Sequence, residues 1–143
     1  MTAGPWTFPN TARTSLVNGD FALSTDTFNI ALYSSSWSPA DATDYTTTNE
    51  LATANGYTLG GISLGTMTLS GTTTVKVTNS VSIVWTAATG SLVARYAAIY
   101  KPSGKFMCWC NLDAGGGTPV DVTITVGNTL TVTMNSAGIF TLA

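Results

Sequence analysis

The stretch that decides the fold is Val-Ala-Arg-Tyr-Ala-Ala-Ile-Tyr at positions 93–100. Side chains alternate between the two faces of a strand, so this stretch would divide into two sets of four. The first set is Ala94, Tyr96, Ala98 and Tyr100, and the second is Val93, Arg95, Ala97 and Ile99. Both sets are largely apolar, which is typical of a strand covered on both faces inside a β-sandwich or barrel. The stretch therefore predicts the central strand of the fold.

One charged residue, Arg95, interrupts this apolar stretch. An arginine in such a position is rarely left without a partner. The expected partner is Glu50, the single charge at the head of residues 50–61, and Asp113 and Asp121 are the alternatives. We predict a buried or half-buried structural ion pair between Arg95 and Glu50 that ties residues 50–61 to the central strand.

The composition of the 143 residues indicates the same fold class. Charged residues make up 8% of the chain, against about 25% in a typical domain. Threonine favours strands, and glycine and asparagine favour turns. The length suits one domain. We predict an all-β, single-domain antiparallel β-sandwich or jelly roll with one short N-terminal helix and roughly eight or nine strands.

The helix and strands can be assigned from local patterns. Asn10 is the expected N-cap of the helix, and Asn18-Gly19 is a stop signal. Apolar alternation and turn signals define the strands. The predicted helix covers 10–19, and the predicted strands cover 27–33, 62–70, 72–78, 81–85, 93–100, 106–112, 120–126, 129–134 and 139–142.

Residues 1–10 are expected to form an extended arm that precedes a β-sandwich domain over 11–143. Two prolines in this stretch disfavour both helix interior and central strand. Trp6 and Phe8 are large apolar groups, which are scarce in disordered segments. We expect the arm to dock through these two side chains, either on a neighbouring subunit or on the domain's own surface.

Two loops are further candidates for contact. The polar loop 34–49 is longer than most connections in compact domains, which favours a contact role. A second loop contains three consecutive glycines at 115–117. Aromatic side chains are typical interface hot spots. The candidate interface residues are therefore Trp6, Phe8, Trp37 and Tyr45.

The residues that usually carry out catalysis or hold metals are scarce. The chain has no histidine, which is the commonest general base and metal ligand. Cys108 and Cys110 share one strand face and lack the further ligands of a zinc site, so they are expected to be free, buried thiols. Asp41 and Asp44 lack the spacing of a calcium loop. We expect no enzymatic activity, catalytic residue, cofactor or metal.

Charge and hydropathy restrict the partners. The net charge is −2 and the five basic residues are dispersed, which disfavours nucleic-acid binding. No signal peptide and no apolar run of roughly 20 residues is visible, so no membrane association is expected. A surface of threonine and serine can be buried against neighbours at low desolvation cost, which favours a protein that works in an assembly.

Five segments, in this order, resemble a family of small structural proteins of tailed bacteriophages. The pattern Asn-Glu-x(5)-Gly-Tyr followed by Ala-Arg-Tyr-Ala is the most specific part. The resemblance covers most of the chain from residue 25 onward, and the first 24 residues carry less of it. The segments are Asp-Thr-Phe-Asn-Ile-Ala-Leu-Tyr at 26–33, Asn-Glu-Leu-Ala-Thr-Ala-Asn-Gly-Tyr-Thr-Leu-Gly-Gly at 49–61, Val-Trp-Thr-Ala-Ala-Thr-Gly at 84–90, Ala-Arg-Tyr-Ala-Ala-Ile-Tyr at 94–100 and Gly-Ile-Phe-Thr-Leu at 138–142.

The resemblance implies a virion structural protein without enzymatic activity. The expected function is that of a capsid decoration (cement) protein, made in the host cytoplasm and placed on the capsid surface of the virion. Its expected partners are the major capsid protein and copies of itself, as a dimer or trimer. The alternative is a tail or fibre-associated virion protein that binds a host surface glycan through Trp37 with Asp41 or Asp44.

Overall fold

A computed structural model of the chain describes residues 3–102, 104–115 and 117–142, with the backbone alone for Asp41. These residues form eleven strands, all paired antiparallel, one α-helix and one 3-10 turn. The all-β antiparallel class with one short helix is therefore confirmed, and the jelly-roll topology stays a prediction. In chain order the elements are α1 (Asn10–Val17), β1 (Phe28–Tyr33), the 3-10 turn (Pro39–Asp41), β2 (Ile62–Gly65), β3 (Thr68–Ser70), β4 (Val75–Thr78), β5 (Ile83–Thr86), β6 (Leu92–Ala94), β7 (Tyr96–Tyr100), β8 (Phe106–Asn111), β9 (Val122–Ile124), β10 (Thr129–Val132) and β11 (Phe140–Leu142).

The main sheet has the strand order β2-β1-β7-β8, and β7 lies in its interior. Ala98 pairs with Ala31 of β1 on one side and with Trp109 of β8 on the other. Ala97 and Ile99 face the larger core, whereas Ala98 and Tyr100 face a second core on the opposite side of the sheet. The predicted central strand is thus confirmed over Tyr96–Tyr100, with both faces covered.

The predicted strand over 93–100 is interrupted at Arg95. β6 pairs with β9, and β7 pairs with β1 and β8, so the chain changes partner strands at this residue. The Arg95 backbone stays bonded to the main sheet, because its N–H donates to the Tyr33 carbonyl and its carbonyl accepts from Leu112 N–H, both at 2.9 Å. The break places Ala94 in the larger core, and the expectation that it shares a face with Ala98 is wrong.

The segments 83–94 and 122–132 run antiparallel to each other and are called the ribbon below. β5 pairs with β10 at one end, and β6 pairs with β9 at the other. Between them, Ala87 N–H donates to the Asn128 carbonyl at 3.0 Å. The inward side chains of the ribbon complete the larger core, and they include Ile83, Trp85, Leu92, Val122, Ile124 and Leu130.

A third sheet has the strand order β11-β4-β3. The strand predicted over 62–70 divides here, because Gly65 has a φ of 64° and the chain passes from β2 to β3 after it. The predicted hairpin about Ser70-Gly71 joins β3 to β4. Gly71 has a φ of 106°, which side chains other than hydrogen rarely allow. The predicted turn at Ser70-Gly71 is therefore confirmed, but the single strand predicted before it is divided into β2 and β3.

Loop 34–49 folds over the outer side of the main sheet. Its Trp37 ring stacks on Tyr33 of β1, with ring centroids 4.2 Å apart. Asp44 forms an antiparallel bridge with Lys105, so the loop also runs beside the turn between β7 and β8. The second core thus lies between the main sheet and this loop.

The arm extends the main sheet beyond β8. Thr7 and Trp109 exchange two backbone hydrogen bonds of 2.7 and 3.0 Å, and Gly4 N–H donates to the Asn111 carbonyl at 2.9 Å. Two docking sites were expected for the arm, a neighbouring subunit or its own domain, and in the structure the arm docks on its own domain. Helix α1 follows at Asn10, and Pro9 rather than Asn10 occupies the N-cap position, without a side-chain cap. The prediction of Asn10 as N-cap is therefore wrong.

Candidate interaction surface

The carboxylate of Glu50 is held by uncharged groups. Its Oε1 accepts hydrogen bonds of 2.6 Å from Tyr57 OH and from Gly60 N–H, and its Oε2 accepts one of 2.6 Å from Tyr45 OH. Glu50 is 8% exposed. These four residues are called the Glu50 cluster. Because hydrogen bonds satisfy the carboxylate, it is stabilised in the interior without a cation.

Arg95 pairs with Asp121 and not with Glu50, so the predicted Arg95–Glu50 pair is wrong. Arg95 Nε lies 2.8 Å from Asp121 Oδ1, and the two side chains are 29% and 37% exposed. Asp121 was one of the alternatives. The pair sits at the surface because Arg95 occupies the break between β6 and β7, from which its side chain reaches solvent. Exposed pairs of this kind contribute about 0–1 kcal/mol.

Tyrosines link the Glu50 cluster to the main sheet. Tyr57 OH accepts a hydrogen bond from Leu32 N–H at 3.1 Å, and Tyr100 OH donates to the Gly60 carbonyl at 2.8 Å. Burial, followed by the hydrogen bond to Glu50, raises the pKa of Tyr57 and of Tyr45 well above the ordinary tyrosine value. These phenols therefore stay protonated at neutral pH and act as hydrogen-bond donors, so the cluster has a structural role.

The segment that follows Glu50 is shaped by close backbone approaches. Asn55 and Gly56 both have positive φ, of 57° and 93°, and form a turn against the end of β5. A Cβ atom on Gly56 would overlap the Thr86 carbonyl, and one on Gly61 would overlap the Ile30 carbonyl. The Asn-Glu-x(5)-Gly-Tyr pattern thus specifies a packed structural unit.

Of the candidate interface residues of loop 34–49, Trp37 is buried and Tyr45 is half-buried. Trp37 is 6% exposed and contacts Phe106 as well as Tyr33. Tyr45 is half-buried, stacks on Tyr100 with centroids 3.9 Å apart, and donates to Glu50. Both side chains therefore contact residues of their own domain, and their role in an interface stays a prediction. The loop has aromatic residues because it must cover the apolar outer face of β7.

Trp6 and Phe8 are half-buried and pack against the larger core. The Phe8 ring meets Phe140 of β11 edge to face, with centroids 4.7 Å apart. Both residues therefore attach the arm to its own domain. The glycine loop 115–117 lies partly outside the described residues, since Gly116 is not described.

A shallow groove of about 290 Å³ lies beside loop 34–49. The residues that line it include Trp37, Phe106, Asp44 and Asn49. Asp44 Oδ1 lies 3.3 Å from Lys105 Nζ. The side chain of Asp41, the other acid proposed for glycan binding, lies outside the described residues. Because Trp37 is 6% exposed, the groove lacks an exposed aromatic platform at this residue.

The two cysteines are buried in the larger core as free thiols, as predicted. Burial raises the pKa of Cys110 to about 12 and that of Cys108 well above the ordinary value. Thiols with raised pKa values are poor nucleophiles at neutral pH. The described residues contain no group of three or more acidic, cysteine or histidine side chains that could hold a metal ion. In the same part of the chain, no helix has the length and apolar character of a membrane span.

The outward side of the ribbon is a surface that the sequence reasoning missed. Its exposed side chains come from alternate positions of β5, β6, β9 and β10, and Val84 and Val93 are 40% and 44% exposed. The signal was present in the sequence, because neither 83–94 nor 122–132 contains a charged residue. We call this surface the Val–Thr face, and it consists of Val84, Thr86, Val93, Thr123, Thr129 and Thr131.

Comparison with known proteins adds no relative. The chain matches no protein-family model, no curated protein and no solved structure. The resemblance to small structural proteins of tailed bacteriophages therefore stays a prediction, which rests on the five quoted segments. Two of those segments, 49–61 and 94–100, contain the Glu50 cluster residues Glu50, Tyr57 and Gly60 and the interior strand β7.

Proposed function

We propose that the protein is a structural component of a bacteriophage virion, a decoration (cement) protein that binds the outer capsid shell and stabilises it by protein–protein contacts. The observation that carries this proposal is the Val–Thr face, a solvent-exposed surface without charge. Protein interfaces have cores depleted of charged residues, because burying an unpaired charge is costly. Methyl and hydroxyl groups can be buried at much lower cost.

The described polar groups of the interior support a structural role over a chemical one. The Glu50 carboxylate is occupied by three hydrogen bonds, and the phenols that donate to it remain protonated. Arg95 and Lys101 each contact an acid on the surface, Asp121 and Asp26. These bonds hold the fold together and leave the outer strands to make contacts.

The proposed partners are the major capsid protein and other copies of this chain, as a dimer or trimer. A shell presents many identical sites, so modest contacts repeated over an oligomer give a high total affinity. A decoration protein made in the host cytoplasm would join the shell during assembly.

Cryo-electron microscopy of intact virions tests this proposal. We expect density for the domain in a regular array over the capsid, and we expect capsids without the protein to rupture at a lower temperature. Density only at the tail would overturn the decoration role and favour adsorption. Absence of the protein from purified virions would overturn a structural role altogether.

The alternative function, glycan binding from the tail or a fibre, would depend on the groove beside loop 34–49. Because Trp37 is 6% exposed, its ring is not available for a sugar to stack on, which is the contact that this function requires. A glycan array probed with the purified protein tests it directly. Specific binding that is lost in an Asp44→Ala variant would favour this function over decoration.

A further inference from the structure

The charges of this protein are unevenly distributed along the fold. All twelve charged residues lie outside the ribbon segments 83–94 and 122–132. Lys101 and Lys105 flank the turn between β7 and β8, and Arg13 is in α1. The ribbon is thus a continuous part of the surface without charge, and it exposes three valines, Val84, Val93 and Val126, by two-fifths or more.

The ribbon strands also have sides without a partner strand, although the turn at Gly56 packs against Thr86 at the end of β5. Among the described residues, β5 and β10 pair only with each other, and so do β6 and β9. Each of these strands therefore has one side without a neighbouring strand. Monomeric proteins commonly protect such edges with lysine or proline, and none of these four strands contains either residue. The edges are chemically suited to contact with another chain.

We propose that a second copy of this chain covers the Val–Thr face, so that the protein self-associates through the ribbon. The inference rests on the proposed function, in which copies of the protein meet on the shell, and it names the surface by which they do so. The absence of charge on this face suits a second copy of the chain as the partner. A face without charge is complementary to itself, because two copies can meet there without opposing like charges or desolvating an ion.

Symmetry agrees with this choice. In a two-fold contact the same patch of both copies meets, and identical strands run antiparallel to each other when the axis is perpendicular to them. β5 and β10 already pair in antiparallel fashion within one copy, and each keeps an unpaired side.

Analytical ultracentrifugation of the purified full chain, over a micromolar to millimolar concentration series, tests the proposal. We expect a reversible dimer or larger oligomer. The Val84→Lys and Val93→Lys variants should each weaken association by at least about tenfold, since like charges would face each other across the contact. The matched control is Val17→Lys, because Val17 is 87% exposed on α1, outside the ribbon. Circular dichroism and thermal unfolding establish that each variant is folded.

Each result decides between the two proposals. A monomeric native chain, or ribbon variants that associate as the control does, would overturn self-association through this face. If the chain is monomeric and Val84→Lys abolishes binding to capsids, the face contacts the shell, so self-association fails while the decoration role stands. An oligomer that Val84→Lys dissociates, formed by a protein absent from virions, would leave self-association standing and overturn the decoration role.

Discussion

In the Glu50 cluster a buried carboxylate accepts three hydrogen bonds, whereas the ribbon has no charged residue and turns threonine hydroxyls toward solvent. The Glu50 cluster is bonded to strands of the main sheet, and the ribbon packs against the larger core on that sheet. The cluster fixes loop 34–49 and residues 50–61 onto that sheet. The ribbon closes the larger core with its inward side and leaves its outward side free.

The difference shows how a chain with few charges distributes them. Glu50, the one acid that is buried among the described residues, is placed where uncharged donors from separate segments converge, so it specifies the arrangement of those segments. Three pairs of an acid and a base lie toward the surface, among them Lys101 with Asp26 at 2.7 Å. Removing charge from the ribbon leaves a surface that can be buried without loss of internal hydrogen bonds.

The largest expected effect is at Glu50. In Glu50→Ala, the hydroxyls of Tyr45 and Tyr57 and the N–H of Gly60 lose their acceptor in a buried site. We expect the free energy of unfolding to fall by about 3–5 kcal/mol, measured by urea denaturation.

Glu50→Gln is the graded control, because its amide oxygen can still accept from some of these donors, and its loss should be smaller. If Glu50→Ala is too unstable to fold, Glu50→Gln still reports the effect. A change below about 1 kcal/mol in both variants would contradict a structural role for the cluster.

The second effect separates crowding from backbone strain at glycines. Gly61 has a φ of 68°, and a Cβ there would overlap the Ile30 carbonyl; Gly127 in the ribbon has a φ of 83° with no atom near its Cβ position. Gly127→Ala should cost about 1–2 kcal/mol from the positive φ alone. Gly61→Ala should cost about 1–3 kcal/mol more, because the backbone must also shift. Equal losses in thermal unfolding would mean that the close approach is readily relieved.

The third effect is a loss of stability at alkaline pH. Burial raises the pKa of Tyr33 and Tyr57 above the tyrosine value of about 10 in unfolded chains. The folded protein thus retains protons that the unfolded chain releases, so the free energy of unfolding falls as pH rises above about 10. A fully buried tyrosine such as Tyr57 can contribute up to about 1.4 kcal/mol per pH unit. The buried thiols act in the same direction from about pH 8.5 upward.

Denaturant titrations across pH measure this loss, and phenolate absorbance follows the tyrosines. Between about pH 6 and 7 stability should be nearly constant, since the chain has no histidine to titrate there. Full phenolate absorbance in a protein that is still folded would contradict the burial of these phenols.

Periodicity predicted much of the fold. The apolar alternation that predicted a strand over 27–33 matches the packing of Phe28, Ile30 and Leu32 in the larger core, and the two apolar faces of 96–100 correctly required a cover on each side. The same requirement could have predicted that Trp37 is buried. The second face needed a cover, and loop 34–49 had the aromatic residues to provide it.

The partners of Arg95 and Glu50 could not be read in the same way. They depend on which distant segments pass each residue, and periodicity gives no distance between segments. Arg95 meets Asp121 only because the chain changes sheets at Arg95 and β9 pairs with β6. Glu50 has phenol partners five and seven positions away, a spacing that no regular element predicts.

The smallest expected effect is at the surface pair that replaced the predicted buried one. Arg95 and Asp121 are about one-third exposed, so solvent screens their attraction and Asp121→Asn should cost no more than about 1 kcal/mol. Most of that loss should disappear at about 1 M salt, where the screening length is about 3 Å. Glu50→Gln, measured in the same series, should lose the same free energy of unfolding with and without salt. Its contacts are buried, and the groups that donate to the carboxylate are uncharged. If Asp121→Asn instead costs several kcal/mol and the loss is insensitive to salt, then Arg95 is held in a desolvated site. The contrast between Glu50, a buried acid with uncharged partners, and the exposed Arg95–Asp121 ion pair would then be wrong.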